Sequence, residues 1–230
     1  MDFLELLQTG GVAGAALWTV IAFSVVALAV AIERLIAQWG FVVRARALSD
    51  VVLRCLGRGA LEEASLACVR SDSPIADVFT VGFDKLESAK PEHVISAVHR
   101  ERQRVNQDLR TRLWMLGTIG ATAPFVGLTG TVFGIMNAMG RFKGSEAVTF
   151  GSVSAPISEA LIVTAVGIVV AVEAVVLFNY FSQRGARIAT EMKLQTEEFL
   201  EQLLDPDNTE KRTAKKSSAK GGDSGAREAA

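Results

Sequence analysis

Residues 115–139 read MLGTIGATAPFVGLTGTVFGIMNAM, a stretch without a single charged side chain. Two other segments are similar: residues 12–32 carry no charge, and residues 157–181 carry only Glu159 and Glu173. About 20 mostly apolar residues in a helix cross a hydrocarbon core of ~30 Å. Because a backbone in lipid must satisfy its own hydrogen bonds, each segment is predicted to be a helix. The sequence therefore predicts an all-α membrane protein with three transmembrane helices and long cytoplasmic helical extensions.

The distribution of Lys and Arg predicts the orientation of the chain. Residues 1–11 contain none, residues 34–113 contain 13, residues 140–156 contain two, and the part after residue 181 contains nine. Segments rich in Lys and Arg stay in the cytoplasm. We therefore expect the N-terminus outside and the C-terminus inside, which agrees with three crossings.

These features divide the chain into eight segments. They are an outer leader (1–11), transmembrane helix 1 (12–33), a cytoplasmic helical domain (34–113), transmembrane helix 2 (114–139), an outer loop (140–156), transmembrane helix 3 (157–181), a cytoplasmic helix (182–204) and a tail (205–230). The tail is rich in Lys, Ser, Gly and Ala and is predicted to be disordered.

Turn-forming residues mark the helix boundaries inside the cytoplasmic domain. A break is expected near Gly57–Gly59. Helices are expected to begin at Pro74, with Ser73 as the N-terminal cap, and at Pro91. No Gly or Pro lies between Glu92 and Leu116. This absence predicts one unbroken helix from Pro91 to Met139.

The chain lacks the motifs of a fuel-hydrolysing or metal enzyme. No phosphate-binding loop and no metal-ligand motif is present. His93 and His99 are predicted to be surface residues, and Cys55 and Cys68 to be packed, reduced thiols. We therefore expect no enzyme activity, no cofactor and no bound metal.

Arginines are concentrated in residues 100–112, immediately before the second span, and they alternate with Glu101 and Asp108. Such a segment beside a membrane favours contact with anionic lipid headgroups over binding of nucleic acid.

Two threonines are predicted to lie at one depth on neighbouring spans. Thr131 lies eight residues before Met139, ~12 Å below the outer end, and Thr164 lies seven residues after Ile157, ~10.5 Å below it. Glu159 lies ~3 Å from the outer end. This arrangement predicts a short polar path for protons. The alternatives are threonines that bond their own helix and a glutamate that only favours the helix dipole.

Glu173 lies deeper, ~24 Å from the outer end of the third span and ~12 Å from its inner end. Ionisable groups at such depths are costly and mark functional sites by default. Glu173 is about 180° around the helix from Thr164. Either Glu173 faces a neighbouring helix or subunit, or the helix bends between the two residues.

The second span is rich in glycine, including Gly127, Gly130 and Gly134. Gly130 and Gly134 form a pair of small residues four apart, a spacing that permits close helix approach. These glycines are predicted to serve tight helix packing.

Two motifs in this chain resemble the ExbB/TolQ/MotA proton-channel family. Residues 116–139, LGTIGATAPFVGLTGTVFGIMNAM, resemble its second span, and residues 157–167, ISEALIVTAVG, resemble the start of its third. The resemblance implies a subunit of a pentameric ring around a dimer of a single-span ExbD- or TolR-like partner. It also implies that Thr131 and Thr164 are pore-lining threonines and that Glu159 is the family's glutamate.

The resemblance further implies a protein of the bacterial inner membrane that draws on the proton gradient. Its partner would be a TonB- or TolA-like protein, or gliding machinery. Glu173 stands where the family has a proline in an Ile-Pro-Ala pattern, which adds a second candidate proton site. The alternatives are a non-conducting helical scaffold and an intramembrane enzyme, although no nucleophile and base occur together.

Overall fold

The structure, a computed structural model, describes residues 12–86, 89–141 and 150–205. These residues form seven helices and no strand, which confirms the predicted all-α fold. In chain order the helices are α1 (Val12–Gln38), α2 (Phe41–Gly57), α3 (Leu61–Val69), α4 (Ile75–Leu86), α5 (Pro91–Arg110), α6 (Leu113–Arg141) and α7 (Phe150–Leu204). The predicted leader (1–11), residues 142–149 of the predicted loop and the tail from residue 206 lie outside the described residues.

The helices form two compact units. Of the described residues, the three-helix unit comprises those in 12–36 and 111–183, and the aromatic-core unit those in 37–110 and 184–205. Helices α1 and α7 each contribute one part to each unit.

The three-helix unit consists of α6 and the apolar parts of α1 and α7. Three helices of the described chain are long and apolar enough to cross a membrane, as predicted. Their shared core is made mainly of small and branched side chains: Val20, Ala27, Val30, Ala31, Leu113, Leu116, Ile119, Ala123, Val170, Ala171, Ala174 and Phe181. Large apolar side chains such as Val25, Val132 and Val169 are exposed on the outside. This exposure suits helices that are surrounded by lipid.

The prediction of one unbroken helix from Pro91 to Met139 is wrong. Helix α5 ends at Arg110 and α6 begins at Leu113. Between them Arg112 has φ 68°, a left-handed conformation that residues with a Cβ adopt at a cost. The Arg112 guanidinium donates a hydrogen bond to the carboxylate of Glu33. The helix break therefore lies at a residue that forms an ion pair with a distant part of the chain. Local helix signals in the sequence cannot predict such a pair.

Helix α7 is continuous over 55 residues. It begins at Phe150, before the predicted start at Ile157, and Pro156 lies within it. It ends at Leu204, so the predicted extension through residues 182–204 is helical.

The aromatic-core unit is built around three phenylalanines. The ring of Phe199 on α7 stacks on Phe79 of α4, with centroids 4.4 Å apart, and meets Phe83 edge-on at 5.3 Å. Gly82 lies beside these rings, and a Cβ there would come within 2.6 Å of Phe199 Cε1. The missing side chain of Gly82 therefore makes room for the Phe199 ring.

The helix boundaries that turn-forming residues predict in the aromatic-core unit lie within one residue of the observed ones. Helix α2 ends at Gly57, followed by Gly59 with φ 71°, a conformation that glycine adopts without strain. Helix α4 begins at Ile75, one residue after the predicted start at Pro74, and the Ser73 hydroxyl does not cap it. Helix α5 begins at Pro91.

Both cysteines are free thiols in the aromatic-core unit. Cys68 is buried in the core and Cys55 is half-buried against it. Burial, and to a lesser extent the neighbouring Cys55, raises the pKa of the Cys68 thiol to about 12. The raised pKa disfavours the thiolate, which is the reactive form. The burial of Cys68 agrees with the prediction of a packed thiol.

Candidate functional site

Helices α6 and α7 cross at Gly127 and Gly167. A Cβ on Gly127 would lie 3.0 Å from Thr164 Cα and 3.2 Å from the Val163 carbonyl oxygen. A Cβ on Gly167 would lie 2.9 Å from the Ala123 carbonyl oxygen and 3.2 Å from Gly127 Cα. A Cβ at either position would press against the backbone of the facing helix, so the lack of a side chain at both glycines permits the close approach.

The Thr164 hydroxyl group bonds across this crossing. Thr164 Oγ1 donates a hydrogen bond of 2.9 Å to the carbonyl oxygen of Gly127 on α6. Most threonines in membrane helices bond their own helix three or four residues back. Thr164 does not, because the missing side chain of Gly127 brings the α6 carbonyl within reach.

Thr131 lies one helical turn after Gly127 and is buried. Its hydroxyl donates to the carbonyl oxygen of Leu128 in the same helix, at 2.7 Å. The regular hydrogen-bond pattern of an α-helix directs the Thr131 N–H to the Gly127 carbonyl. The Gly127 carbonyl is thus the common neighbour of both predicted threonines.

Glu159 lies on α7, five residues before Thr164 and on the side of the predicted outer end. Its side chain is half-buried, and it makes no hydrogen bond or ion pair with any residue that the structure describes. The carboxyl group is therefore available at the end of the α6–α7 crossing where the two threonines lie.

Glu173 faces a different neighbour, helix α1. Ser24 Oγ lies 3.5 Å from Glu173 Oε2, and both side chains are partly buried. Of the two sequence alternatives for Glu173, contact with a neighbouring helix is the one found within this chain. The sequence does not single out Ser24, the one serine between residues 12 and 32, because a lone serine is common in an apolar run.

The other glycines of α6 have unequal surroundings. A Cβ on Gly130 would lie 2.9 Å from Val163 Cγ1 and 3.0 Å from Ala16 Cβ, so Gly130 sits where all three helices meet. Gly134 is half-buried. A Cβ on Gly120 would lie 2.5 Å from Val175 Cγ2. The closest approaches thus include Gly120 and Gly167 besides the predicted residues.

The threonines that face outward from α6 show a contrasting pattern. Thr118, Thr122 and Thr129 each donate to the carbonyl oxygen four residues back in their own helix, at 2.7–3.0 Å. Among these α6 and α7 threonines, only Thr164 links two helices.

Comparison with known proteins identifies the family. Residues 70–194 match the model of the MotA/TolQ/ExbB proton channel family. The match covers more than half of the chain and includes the whole α6–α7 crossing. The chain therefore belongs to this family.

Individual relatives match over shorter lengths. The chain is 41% identical to the biopolymer transport protein ExbB of Xanthomonas campestris pv. campestris over 100 residues, which are 44% of this chain and 40% of the relative. It is 33% identical to the Tol-Pal system protein TolQ of Pseudomonas aeruginosa over 138 residues, 56% of this chain and 60% of the relative. For ExbB of Neisseria meningitidis the identity is 36% over 44% of this chain and 45% of the relative. The chain thus matches 40–60% of the length of these relatives.

Proposed function

We propose that this chain is the proton-channel subunit of an inner-membrane motor that couples the proton gradient to mechanical work on the cell envelope. The observation that carries the proposal is the crossing of two apolar helices at Gly127, where the hydroxyl of Thr164 and the residue Thr131 both adjoin one carbonyl group. Membership of a proton channel family supports it. The half-buried Glu159 carboxyl group stands at the outer end of this polar path.

Hydroxyl groups suit proton transfer because each can accept a proton on a lone pair and donate its own. The hydroxyl protons of Thr131 and Thr164 are held by backbone carbonyls. Transfer therefore requires that a hydroxyl rotate away from its carbonyl, which links proton movement to the packing of α6 on α7.

The proposed machine has further parts. We expect five copies of this chain around a dimer of a single-span ExbD- or TolR-like protein, with a TonB- or TolA-like protein or gliding machinery beyond it. The relatives named as biopolymer transport and Tol-Pal proteins support this assignment. The N-terminus would lie outside and the C-terminus in the cytoplasm, since Lys and Arg are concentrated in residues 34–113 and after residue 181. The arginines before the second span would contact lipid headgroups.

The proton path is tested by replacing both threonines. Thr131→Ala combined with Thr164→Ala should leave the complex assembled and abolish proton flux into liposomes. Thr131→Ser with Thr164→Ser keeps both hydroxyl groups and should retain flux. Thr129→Ala is the matched control, because the Thr129 side chain is exposed on α6, whereas Thr131 is buried. Full flux in the double alanine variant would overturn the assignment.

The partners are tested by native mass spectrometry of the complex extracted from its own membrane. Five copies with two small single-span chains are expected. A monomer or dimer without a small partner, stable across detergents, would contradict the ring.

A non-conducting scaffold is the second candidate, favoured by the same carbonyl bonds, because they satisfy both threonine hydroxyls within the chain. It predicts that Glu159→Gln and Glu173→Gln lower stability without a selective loss of proton flux. Loss of flux at unchanged stability would exclude it.

A further inference from the structure

A polar pair lies within the apolar parts of α1 and α7, apart from the threonine path. The Ser24 hydroxyl donates to a Glu173 carboxylate oxygen over 3.5 Å. Ser24 lies nine residues before Glu33, the first charge after the α1 apolar run, or ~13.5 Å along the helix. Glu173 lies eight residues before Phe181, the end of the predicted third span, or ~12 Å. The two side chains thus meet well inside the apolar part of the bundle.

The surroundings of the pair are apolar. Val20 and Ala27 lie about one turn on either side of Ser24, Val170 and Ala174 lie beside Glu173 on α7, and all four are buried in one cluster. Helix α1 carries no charged side chain in residues 12–32, and α6 carries none in residues 113–140. On α7 the other acidic group of the span, Glu159, is 14 residues away, ~21 Å. No charged partner therefore faces Glu173 from α1 or α6.

The Ser24–Glu173 pair is also separated from the α6–α7 crossing. Glu173 is nine residues after Thr164, and nine residues at ~100° each place it on the opposite side of α7. Val163 and Gly167 of α7 contact α6, whereas Glu173 contacts α1. A proton on Glu173 would consequently not lie between Thr131 and Thr164.

We propose that Glu173 and Ser24 form a second proton-binding site between α1 and α7, in which the Glu173 carboxyl group binds and releases the proton and Ser24 positions it. The site rests on the proposed function, since it adds a proton-binding group to the same subunit. The step is a proton transfer between water and a carboxylate oxygen, with no other bond made or broken.

Ser24 can serve both forms of the carboxyl group. The carboxylate accepts a charge-assisted hydrogen bond from the serine hydroxyl, and the acid can in turn donate to the serine oxygen. The charge-assisted bond is the stronger of the two. Release of the proton therefore tightens the contact between α1 and α7, and binding loosens it.

Carbodiimide labelling tests the site directly. Dicyclohexylcarbodiimide adds to protonated carboxyl groups in apolar surroundings, and peptide mass spectrometry identifies the modified residue. With the full chain in membranes we expect modification at Glu173 and its loss in Glu173→Gln. In Ser24→Ala the carboxylate loses its hydrogen bond, so labelling at fixed neutral pH should become about tenfold faster. Ser24→Thr restores a hydroxyl and should label at the wild-type rate, as should the control Thr129→Ala.

Two results would overturn the proposal. One is an unmodified Glu173 in a sample whose other carboxyl groups are modified. The other is equal labelling of Glu173 in Ser24→Ala and in the wild type, which would remove the positioning role of Ser24. Labelling requires no proton flux, so failure of the threonine path, seen as full flux in the double alanine variant, would leave this result standing.

Discussion

The two units of this chain are both helical, yet different side chains hold them together. In the aromatic-core unit the large rings of Phe79, Phe83 and Phe199 fill the interior. In the three-helix unit the closest approaches occur at glycines, where an added Cβ at Gly127 or Gly167 would meet backbone atoms within 3.0 Å. Large buried side chains therefore fill the core of the aromatic-core unit. In the three-helix unit, the lack of side chains at glycines lets the helices pack closely.

The difference follows from the surroundings that each unit is suited to. In water, burial of apolar surface favours association of helices, so large apolar side chains point inward. In lipid that driving force between helices is missing, and close packing with interhelical hydrogen bonds takes its place. The hydrogen bond from Thr164 to the Gly127 carbonyl is such an interhelical bond. The exposed valines of α6 and α7 can face lipid without the free-energy cost that exposure to water would carry.

The largest expected effect lies in the aromatic-core unit. Phe199→Ala removes a fully buried ring that touches two others and should lower the free energy of unfolding by about 3–5 kcal/mol. The control Leu194→Ala on the same helix, 59% exposed, should change it by less than about 0.5 kcal/mol. Thermal melting of the purified protein measures both. Equal losses of stability in the two variants would show that the buried phenylalanine rings do not hold this unit together.

The next effect tests the close packing of α6 and α7 at their glycines. Gly167→Ala places a Cβ 2.9 Å from the Ala123 carbonyl oxygen, so the helix backbones must separate. We expect a loss of about 1–3 kcal/mol in an SDS titration of the detergent-solubilised protein. Gly140→Ala is the matched control, because among the described residues no atom beyond its own helix lies within 4 Å of a Cβ built there. A Gly167→Ala variant as stable as Gly140→Ala would contradict the tight crossing.

A smaller effect is expected from the interhelical hydrogen bond. Thr164→Val keeps the shape of the side chain and removes the hydroxyl that bonds Gly127, at a cost of about 1 kcal/mol. Thr129→Val removes a hydroxyl that bonds only its own helix, and its cost should be smaller. The same SDS titration compares them. Equal stability of the two valine variants would show that the Thr164 hydrogen bond does not stabilise the contact between α6 and α7.

The smallest effect concerns an ion pair of the aromatic-core unit. The hydrogen bond from Arg46 lowers the pKa of Glu191 below its ordinary value of 4.5. A lowered carboxyl pKa stabilises the folded state at pH values above the unfolded pKa, and this stabilisation is lost as the pH falls through the folded pKa. Wild type should thus melt slightly above Glu191→Gln at neutral pH, and the difference should vanish in acid. A difference that persists in acid would be a packing effect.

Local signals predicted much of this fold from the chain itself. The apolar runs around Thr19, Pro124 and Val169 predict three spans, and Gly57–Gly59 and Pro91 mark helix ends, because both depend on neighbours in sequence. The break at Arg112 was missed for the converse reason. It occurs where neither Gly nor Pro is present and where the guanidinium pairs with Glu33, 79 residues earlier.

The residues of the candidate site could likewise be predicted from the sequence only in part. Thr131, Thr164, Glu159 and Glu173 are conspicuous because polar residues in apolar spans are rare. The hydrogen-bond partners of Thr164 and Glu173 are not conspicuous, because nothing in the sequence distinguishes the Gly127 carbonyl or Ser24. The spacing of small residues likewise pointed to Gly130 and Gly134 as a pair, whereas the crossing joins Gly127 to Gly167.

Composition and periodicity, which act over neighbouring residues, were enough to predict an all-α chain with three spans. The motifs in residues 116–139 and 157–167 separately carried the resemblance to a proton channel family. The tertiary structure decided which carbonyl accepts the Thr164 hydroxyl, which helix meets Glu173 and where the helix after Arg110 breaks. Each of these depends on two segments that are far apart along the chain, and helix periodicity says which face a residue occupies but not what lies opposite it.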